Sequence, residues 1–147
     1  MKWIELQEIE KMSVLNEIKA HTGFDLYIIE KDWWVVQTLR LISQMDIAKH
    51  LVFKGGTSLS KAWRLIDRFS EDIDLAINRE FFGFLGEISR TQVRKLKDTS
   101  SKYISNDFLF LLRKSFYDAG IKDVRISVID EKAPDGRKLR RFAKYEN

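Results

Sequence analysis

Cysteine is absent from the 147 residues, proline occurs once and glycine seven times. Without cysteine the chain has no disulfide, no thiolate nucleophile and no cysteine-ligated zinc. The scarcity of proline and glycine excludes long low-complexity linkers. No apolar run approaches the ~20 residues that a membrane-spanning helix needs. We therefore expect a soluble, cytoplasmic protein with no membrane segment.

What is present favours one packed domain over residues 1–147. Hydrophobic residues make up 44% of the chain and aromatic residues 12%, which is enough to build a core. The net charge is +4, but residues 90–147 hold 15 Lys and Arg against 8 Asp and Glu, whereas residues 1–89 hold 11 against 14. A basic rear behind an acidic front would suit a polyanionic partner, but charge alone favours a solvated helical face.

The spacing of apolar residues predicts an α/β (α+β) fold, with a small mixed sheet flanked by helices. The expected helices are residues 5–20, 28–45 and 91–117, and the expected strands are residues 51–53, 70–77 and 124–129. Gly23 is expected to end the first helix, and the pair Asn106-Asp107 is expected to interrupt the third. Residues 137–147 are basic and polar, which indicates either a tail or the point at which a longer protein has been cut.

A Gly-Gly turn follows the first expected strand, and two hydroxyl residues come next. Gly55 and Gly56 allow the backbone to approach an anion closely, and Thr57 or Ser58 can begin a helix. The N-terminus of a helix presents free N–H groups and the positive end of the helix dipole, which suits a phosphate. This turn is therefore a candidate phosphate site, although a Gly-Gly pair alone is usually just a turn.

Two aspartates stand two residues apart in the second expected strand. At this spacing Asp72 and Asp74 project from the same face, and two carboxylates that close need a cation between them. Mg²⁺ is the cation that best fits such hard oxygen ligands. The alternative is a pair of strand-edge acids that form ion pairs with Arg64 or Arg68. A short return from the Gly-Gly turn would set the aspartates beside it, so that triphosphate and metal share one space.

The residues from this turn to the second strand resemble the AbiEii/AbiGii toxin family of bacterial nucleotidyltransferase-like proteins. The similarity lies in FKGGTSLSKAW (residues 53–63), RFSEDIDLAI (residues 68–77), the upstream IEKDWWVVQTL (residues 29–39) and the downstream basic TQVRKLKDTSSKYI (residues 91–104). The resemblance implies a minimal transferase fold of the DNA polymerase β type. It also implies the toxin half of a toxin–antitoxin or phage abortive-infection system.

The resemblance also implies roles for individual residues. Gly55, Gly56 and Thr57 or Ser58 would hold the phosphates of a nucleoside triphosphate, and Asp72 and Asp74 would bind Mg²⁺ and serve catalysis. Lys95 or Lys97 would face the triphosphate. The acceptor would be a molecule such as tRNA, and the protein partner would be a cognate antitoxin.

One departure from the family pattern concerns a third carboxylate. Such transferases use one from a later strand, and here only Asp123, Asp130 and Glu131 lie near a late strand, in no recognisable motif. Because family members are commonly about twice this long, we expect an N-terminal portion of a longer protein, with the third acid beyond Asn147. Two alternatives stay open: a catalytically silent domain that binds a protein or RNA, and a kinase-like phosphotransferase.

Overall fold

A computed structural model describes residues 3–55, 72–122, 124–132 and 138–146, the last nine and residues 130–132 by their backbone alone. The chain divides into two compact units, a first unit of Met1–Ala76 and a second unit of Ile77–Asn147. Both helices and strands occur, with more helix than strand, so the predicted α/β fold class is confirmed. None of the helices in the described ranges is long and apolar enough to cross a bilayer.

Two helices form most of the described first unit. Helix α1 (Glu8–Thr22) begins at a capping box, in which the Gln7 N–H donates to the Glu10 carboxylate over 2.8 Å. It ends where Gly23 takes the left-handed conformation (φ 75°) and its N–H donates to the Lys19 carbonyl over 2.8 Å, as the sequence predicted. Helix α2 (Leu26–Ser43) packs on α1. The buried side chains of this region are Leu15, Ile29, Val35, Leu41, Ile42 and Ile47.

A short sheet follows α2 along the chain. A 3₁₀ turn (Asp46–His50) leads into strand β1 (Leu51–Lys54), which pairs with strand β2 (Asp74–Ile77). Both strands were expected. The apolar alternation predicted a strand over residues 70–77, but β2 begins at Asp74, so Asp72 and Ile73 lie before it. The pairing brings the start of β2 into the same small sheet as the strand that precedes Gly55.

The second unit contains one long helical region. Helix α3 (Arg90–Tyr103) continues through a turn of π-helix (Ile104–Phe108) into helix α4 (Leu109–Asp118). The irregularity falls on the predicted pair Asn106-Asp107, but the backbone stays helical there, so the prediction of an interruption is correct in position only. A 3₁₀ turn (Arg79–Phe82) packs against α3.

A long hairpin completes the second unit. Strand β3 (Val124–Lys132) pairs antiparallel with strand β4 (Lys138–Glu146) in a continuous register from Val124↔Glu146 to Lys132↔Lys138. Of the two alternatives for residues 137–147, the tail is wrong for residues 138–146, which form β4. Strand β4 was missed because its apolar residues do not alternate, whereas backbone pairing with β3 stabilises a strand of any composition.

Helix α4 packs on β3 and buries the core of the second unit. Phe108, Leu112, Phe116, Ile121 and Ile126 are each less than a tenth exposed. The Arg113 guanidinium donates to the Ile126 carbonyl through both Nε (2.9 Å) and a terminal nitrogen (2.5 Å). This charged donor fixes the helix against the strand, because a hydrogen bond from an ionised group is stronger than a neutral one.

Candidate functional site

Gly55 comes directly after β1 and has a backbone conformation that favours glycine. Its φ is +70°, in the left-handed region, where an L-residue with a Cβ is strained. The chain can therefore turn sharply as it leaves the strand. Such a turn exposes main-chain atoms to close approach by another group.

The group that approaches Gly55 in this structure is the side chain of Asp74. A Cβ built on Gly55 would overlap the Asp74 Oδ2 and would lie 3.0 Å from its Cγ and 3.2 Å from its Cβ. The Asp74 carboxylate thus occupies the space that a side chain at position 55 would need. The expectation that the aspartate strand returns beside the glycine turn agrees with this geometry.

The two aspartates differ in their surroundings. Both side chains are exposed, but Asp74 is the first residue of β2, whereas Asp72 lies two residues before the strand. Asp72 takes part in a further polar interaction. The carboxylate of Asp74 lies against the side-chain-free face of Gly55.

The donor set at this site suits a hard cation. Carboxylate oxygens are the protein ligands that Mg²⁺ prefers, and Mg²⁺ is commonly held by one or two carboxylates, with substrate phosphates and water supplying the rest. Within the described ranges no group of three or more His, Asp or Glu side chains is arranged to hold a metal ion. Asp72 and Asp74 supply two carboxylates of this kind, so the chemistry of the donor set fits Mg²⁺, and its binding there stays a prediction from the sequence.

Three of the predicted phosphate-binding residues lie outside the described residues. They are Gly56, Thr57 and Ser58. Their assignment to phosphate binding, and the helix expected to begin beside them, stay predictions from the sequence. The same holds for Arg64 and Arg68, which were the alternative partners of the aspartates.

The two candidate lysines lie on α3 in the second unit. Lys95 and Lys97 are exposed, and Leu96 between them is half-buried. Residues two apart on a helix point about 200° apart, so the two ammonium groups leave the helix on different sides. Their role at the triphosphate stays a prediction.

The surface of α3 is strongly basic. Its other exposed cations are Arg90, Arg94 and Lys102, against one acid, Asp98. Its first turn carries no acidic residue. A cation near the positive end of a helix dipole increases the local positive potential. This surface therefore attracts anions from solution.

The start of α3 was missed by one residue in the sequence prediction. The Ser89 Oγ accepts from the Gln92 N–H over 3.3 Å, and the Ser89 N–H donates to the Gln92 Oε1 over 2.8 Å. This capping box fixes the residue at which the helix begins, and therefore the positions of both lysines around the helix axis. The signal that could have located it is the Ser-x-x-Gln spacing in the sequence.

Comparison with protein-family models identified a family that matches most of the chain. Residues 37–146 match the family described as "Nucleotidyl transferase AbiEii toxin, Type IV TA system". The matched range covers well over half of the chain and contains Gly55, both aspartates and both lysines. No match was found among curated proteins or among solved structures.

Proposed function

The chain belongs to the AbiEii nucleotidyl transferase toxin family, and from this premise we propose that it transfers a nucleotide from a nucleoside triphosphate to an acceptor hydroxyl in a magnesium-dependent reaction. The family is that of a toxin in a toxin–antitoxin system, so a cognate antitoxin is the expected protein partner. For the acceptor we propose tRNA, and for the compartment the cytoplasm.

The observation that carries the proposal is the approach of Asp74 to Gly55. A glycine turn that can receive phosphates and a carboxylate that can hold a metal are useful for nucleotidyl transfer only when they are close together. A Cβ on Gly55 would lie within 3.0 Å of the Asp74 Cγ, so the two functions share one small region of the first unit. Separate glycine turns and exposed aspartates are common, and their close approach is what supports the site.

Each residue has a role in this proposal. Asp72 and Asp74 would hold Mg²⁺, whose charge stabilises the reacting phosphate and activates the attacking hydroxyl. Gly55 and Gly56 would receive the triphosphate with their main chain, and Thr57 and Ser58 would add hydroxyl donors. A lysine of α3, Lys95 or Lys97, would neutralise negative charge on the triphosphate.

The proposed reaction is an in-line displacement at the α-phosphate. The acceptor hydroxyl gives its proton to water and attacks the α-phosphorus, the bond from the α-phosphorus to the oxygen that bridges to the β-phosphorus breaks, and pyrophosphate leaves. The chain contributes orientation and positive charge, because preorganised donors aimed at developing charge are the main source of catalysis in such reactions. The main-chain N–H groups of the turn would keep the triphosphate aligned while the bond breaks.

The experiment compares transfer of label from the α and γ positions of each nucleoside triphosphate, with Mg²⁺ and total tRNA. The expected result is transfer of the α label only, lost by at least about a hundredfold in Asp74→Asn. This substitution keeps the shape of the side chain and removes its charge. Glu17→Gln, which removes an exposed charge on α1, should transfer like the wild type.

The other outcomes identify the alternatives. Transfer of the γ label alone would assign a kinase-like phosphotransferase. No transfer of either label by a folded sample would assign a catalytically silent or truncated domain. Equal transfer by the wild type and Asp74→Asn would show that the site has been misplaced.

A further inference from the structure

The proposed function gives Gly55 the role of receiving phosphate with its main chain, and its contact with Asp74 indicates a second role. We propose that it is a positioning residue for Asp74. Because Gly55 has no Cβ, the carboxylate can lie against the main chain in one orientation, and this orientation directs its oxygens toward the metal. The metal part of this inference rests on the proposed function. The steric part does not depend on it.

The first argument is the depth of the overlap. A Cβ at position 55 would overlap the Oδ2 of Asp74, and its distance of 3.0 Å to Cγ is also shorter than ordinary packing allows. Oδ2 and Cγ can move away if the carboxylate rotates about its side-chain bonds. The Asp74 Cβ, 3.2 Å away, moves only with the backbone of β2. An alanine at 55 would therefore force the carboxylate into another rotamer and would also push the strands slightly apart.

The second argument is that Gly55 differs from the other glycines with positive φ. Gly23, Gly83, Gly86 and Gly120 have φ between 61° and 82°, and a Cβ on any of them would meet nothing within 4 Å. At those four positions the backbone conformation alone explains the glycine. At Gly55 the conformation and the neighbouring carboxylate both require it.

The consequence concerns the direction of the carboxylate oxygens. A bound metal ion needs its ligands within a few tenths of an ångström of their ideal positions, and Mg²⁺ is especially demanding. If the Gly55 face were filled, the Asp74 oxygens would point elsewhere although the carboxylate remained in the chain. Gly55→Ala should therefore weaken metal binding without removing any ligand.

The first experiment measures thermal unfolding of the full chain in a double-mutant cycle. Gly23→Ala is the matched control, because its φ of 75° is close to the 70° of Gly55 and its surroundings are open. We expect Gly23→Ala to lower Tm by about 4 °C, and Gly55→Ala to lower it at least about twice as far. In an Asp74→Ala background the extra loss should fall by more than half. In an Asp74→Asn background, which keeps the shape of the side chain, it should stay.

The second experiment titrates Mn²⁺ alone into each folded variant and follows free Mn²⁺ by electron paramagnetic resonance. Mn²⁺ is a probe for Mg²⁺ because it accepts the same oxygen ligands. Removal of a group that orients a metal ligand typically weakens affinity by about 10–100-fold. We expect a loss of at least about tenfold in Gly55→Ala and in Asp74→Asn, and none in Gly23→Ala.

The outcomes separate the two proposals. An equal Tm loss from Gly55→Ala in the wild type and in the Asp74→Ala background would overturn the positioning role, as would Mn²⁺ affinity in Gly55→Ala equal to that of the wild type. If Gly55→Ala does not fold, recovery of folding in Gly55→Ala/Asp74→Ala supports the inference and failure to recover overturns it. If the wild type binds no Mn²⁺, the metal-dependent function fails, while the Tm cycle still decides the steric role of Gly55.

Discussion

The two compact units hold their charged groups in different ways. In the first unit the Asp74 carboxylate lies against the main chain of Gly55, where a single methyl group would displace it. In the second unit the cations of α3 are exposed, and long side chains such as those of Lys95 and Lys97 can adopt many rotamers. Backbone geometry places the Asp74 carboxylate, whereas the cations of α3 produce a positive potential because there are several of them.

This difference predicts two kinds of sensitivity. A carboxylate held by close contact should respond strongly to a small steric change and weakly to salt. Exposed cations should respond to salt, because at ~0.15 M ionic strength interactions beyond about 8 Å are largely screened. Removal of one of these cations should have little effect on function, since their individual effects on a distant anion are small and add together. Variants of the second unit can distinguish whether it contributes a packed scaffold, a positive potential, or both.

The largest expected effect tests the scaffold. Phe116 and Phe110 are both on α4, but Phe116 is 5% exposed and Phe110 is 65% exposed. Phe116→Ala should lower the free energy of unfolding by about 3–5 kcal/mol because it leaves a cavity in the core. Phe110→Ala should change it by no more than about 0.5 kcal/mol. Urea unfolding measures both.

Amide hydrogen exchange locates the loss. Exchange should accelerate in α4 and β3 of Phe116→Ala, since the side chain lies in the core where these two elements pack. Similar destabilisation by both alanine variants would contradict a core centred on Phe116. The positive potential of α3 would then be the remaining contribution to test in the second unit.

A smaller effect tests the positive potential of α3. Replacing both Lys95 and Lys97 with alanine should reduce nucleotide transfer by about tenfold at low salt, which corresponds to about 1.4 kcal/mol. The reduction should shrink as salt is added. Each single variant should lose less than the pair, and the loss in Asp74→Asn should not depend on salt.

Lys102→Ala is the matched control, because it removes an exposed cation from the last turn of the same helix. If it reduces transfer as much as the Lys95/Lys97 pair does, the helix acts through its total charge. If the pair has no effect at any salt concentration, the predicted lysine role is wrong.

The elements of the first unit were largely predictable from the sequence. Helical spacing identified α1 and α2, and Gly23 identified the end of α1. A short apolar run with glycines after it identified β1. These signals are local, because each depends on residues within one or two turns of chain. The family resemblance likewise depended on a continuous stretch around the glycine turn and the aspartates.

The parts that were missed depend on contacts between distant residues. Strand β4 is stabilised by pairing with β3, and its own sequence, KLRRFAKYE, lacks the alternation that marks a half-buried strand. The contact of Asp74 with Gly55 joins residues 19 positions apart. The sequence indicated that the two would be near each other. It could not indicate that the carboxylate would occupy the face of the glycine where a side chain would stand.

The smallest expected effect concerns Tyr103, where the second unit does place a polar group by close packing. Its ring contacts Phe81 and Phe82, with centroids 5.0 and 5.7 Å away. Burial raises the pKa of Tyr103, and the nearby carboxylate of Asp107 raises it further. The fold thus favours the protonated phenol. The stability that this provides is complete below about pH 10, the pKa of an unfolded tyrosine, and is lost as the pH rises through the higher folded value.

Ultraviolet absorbance of tyrosinate measures this shift. The difference between the titrations of the wild type and Tyr103→Phe should be one tyrosine that ionises above pH 10. Asp107→Asn should lower that midpoint only in part, because burial is the larger cause, and Asp98→Asn, on the exposed surface of α3, should leave it unchanged. A midpoint at or below pH 10 would mean that the aromatic cluster is open to water. Tyr103 would then resemble the exposed cations of α3 and not the Asp74 carboxylate, which lies against Gly55.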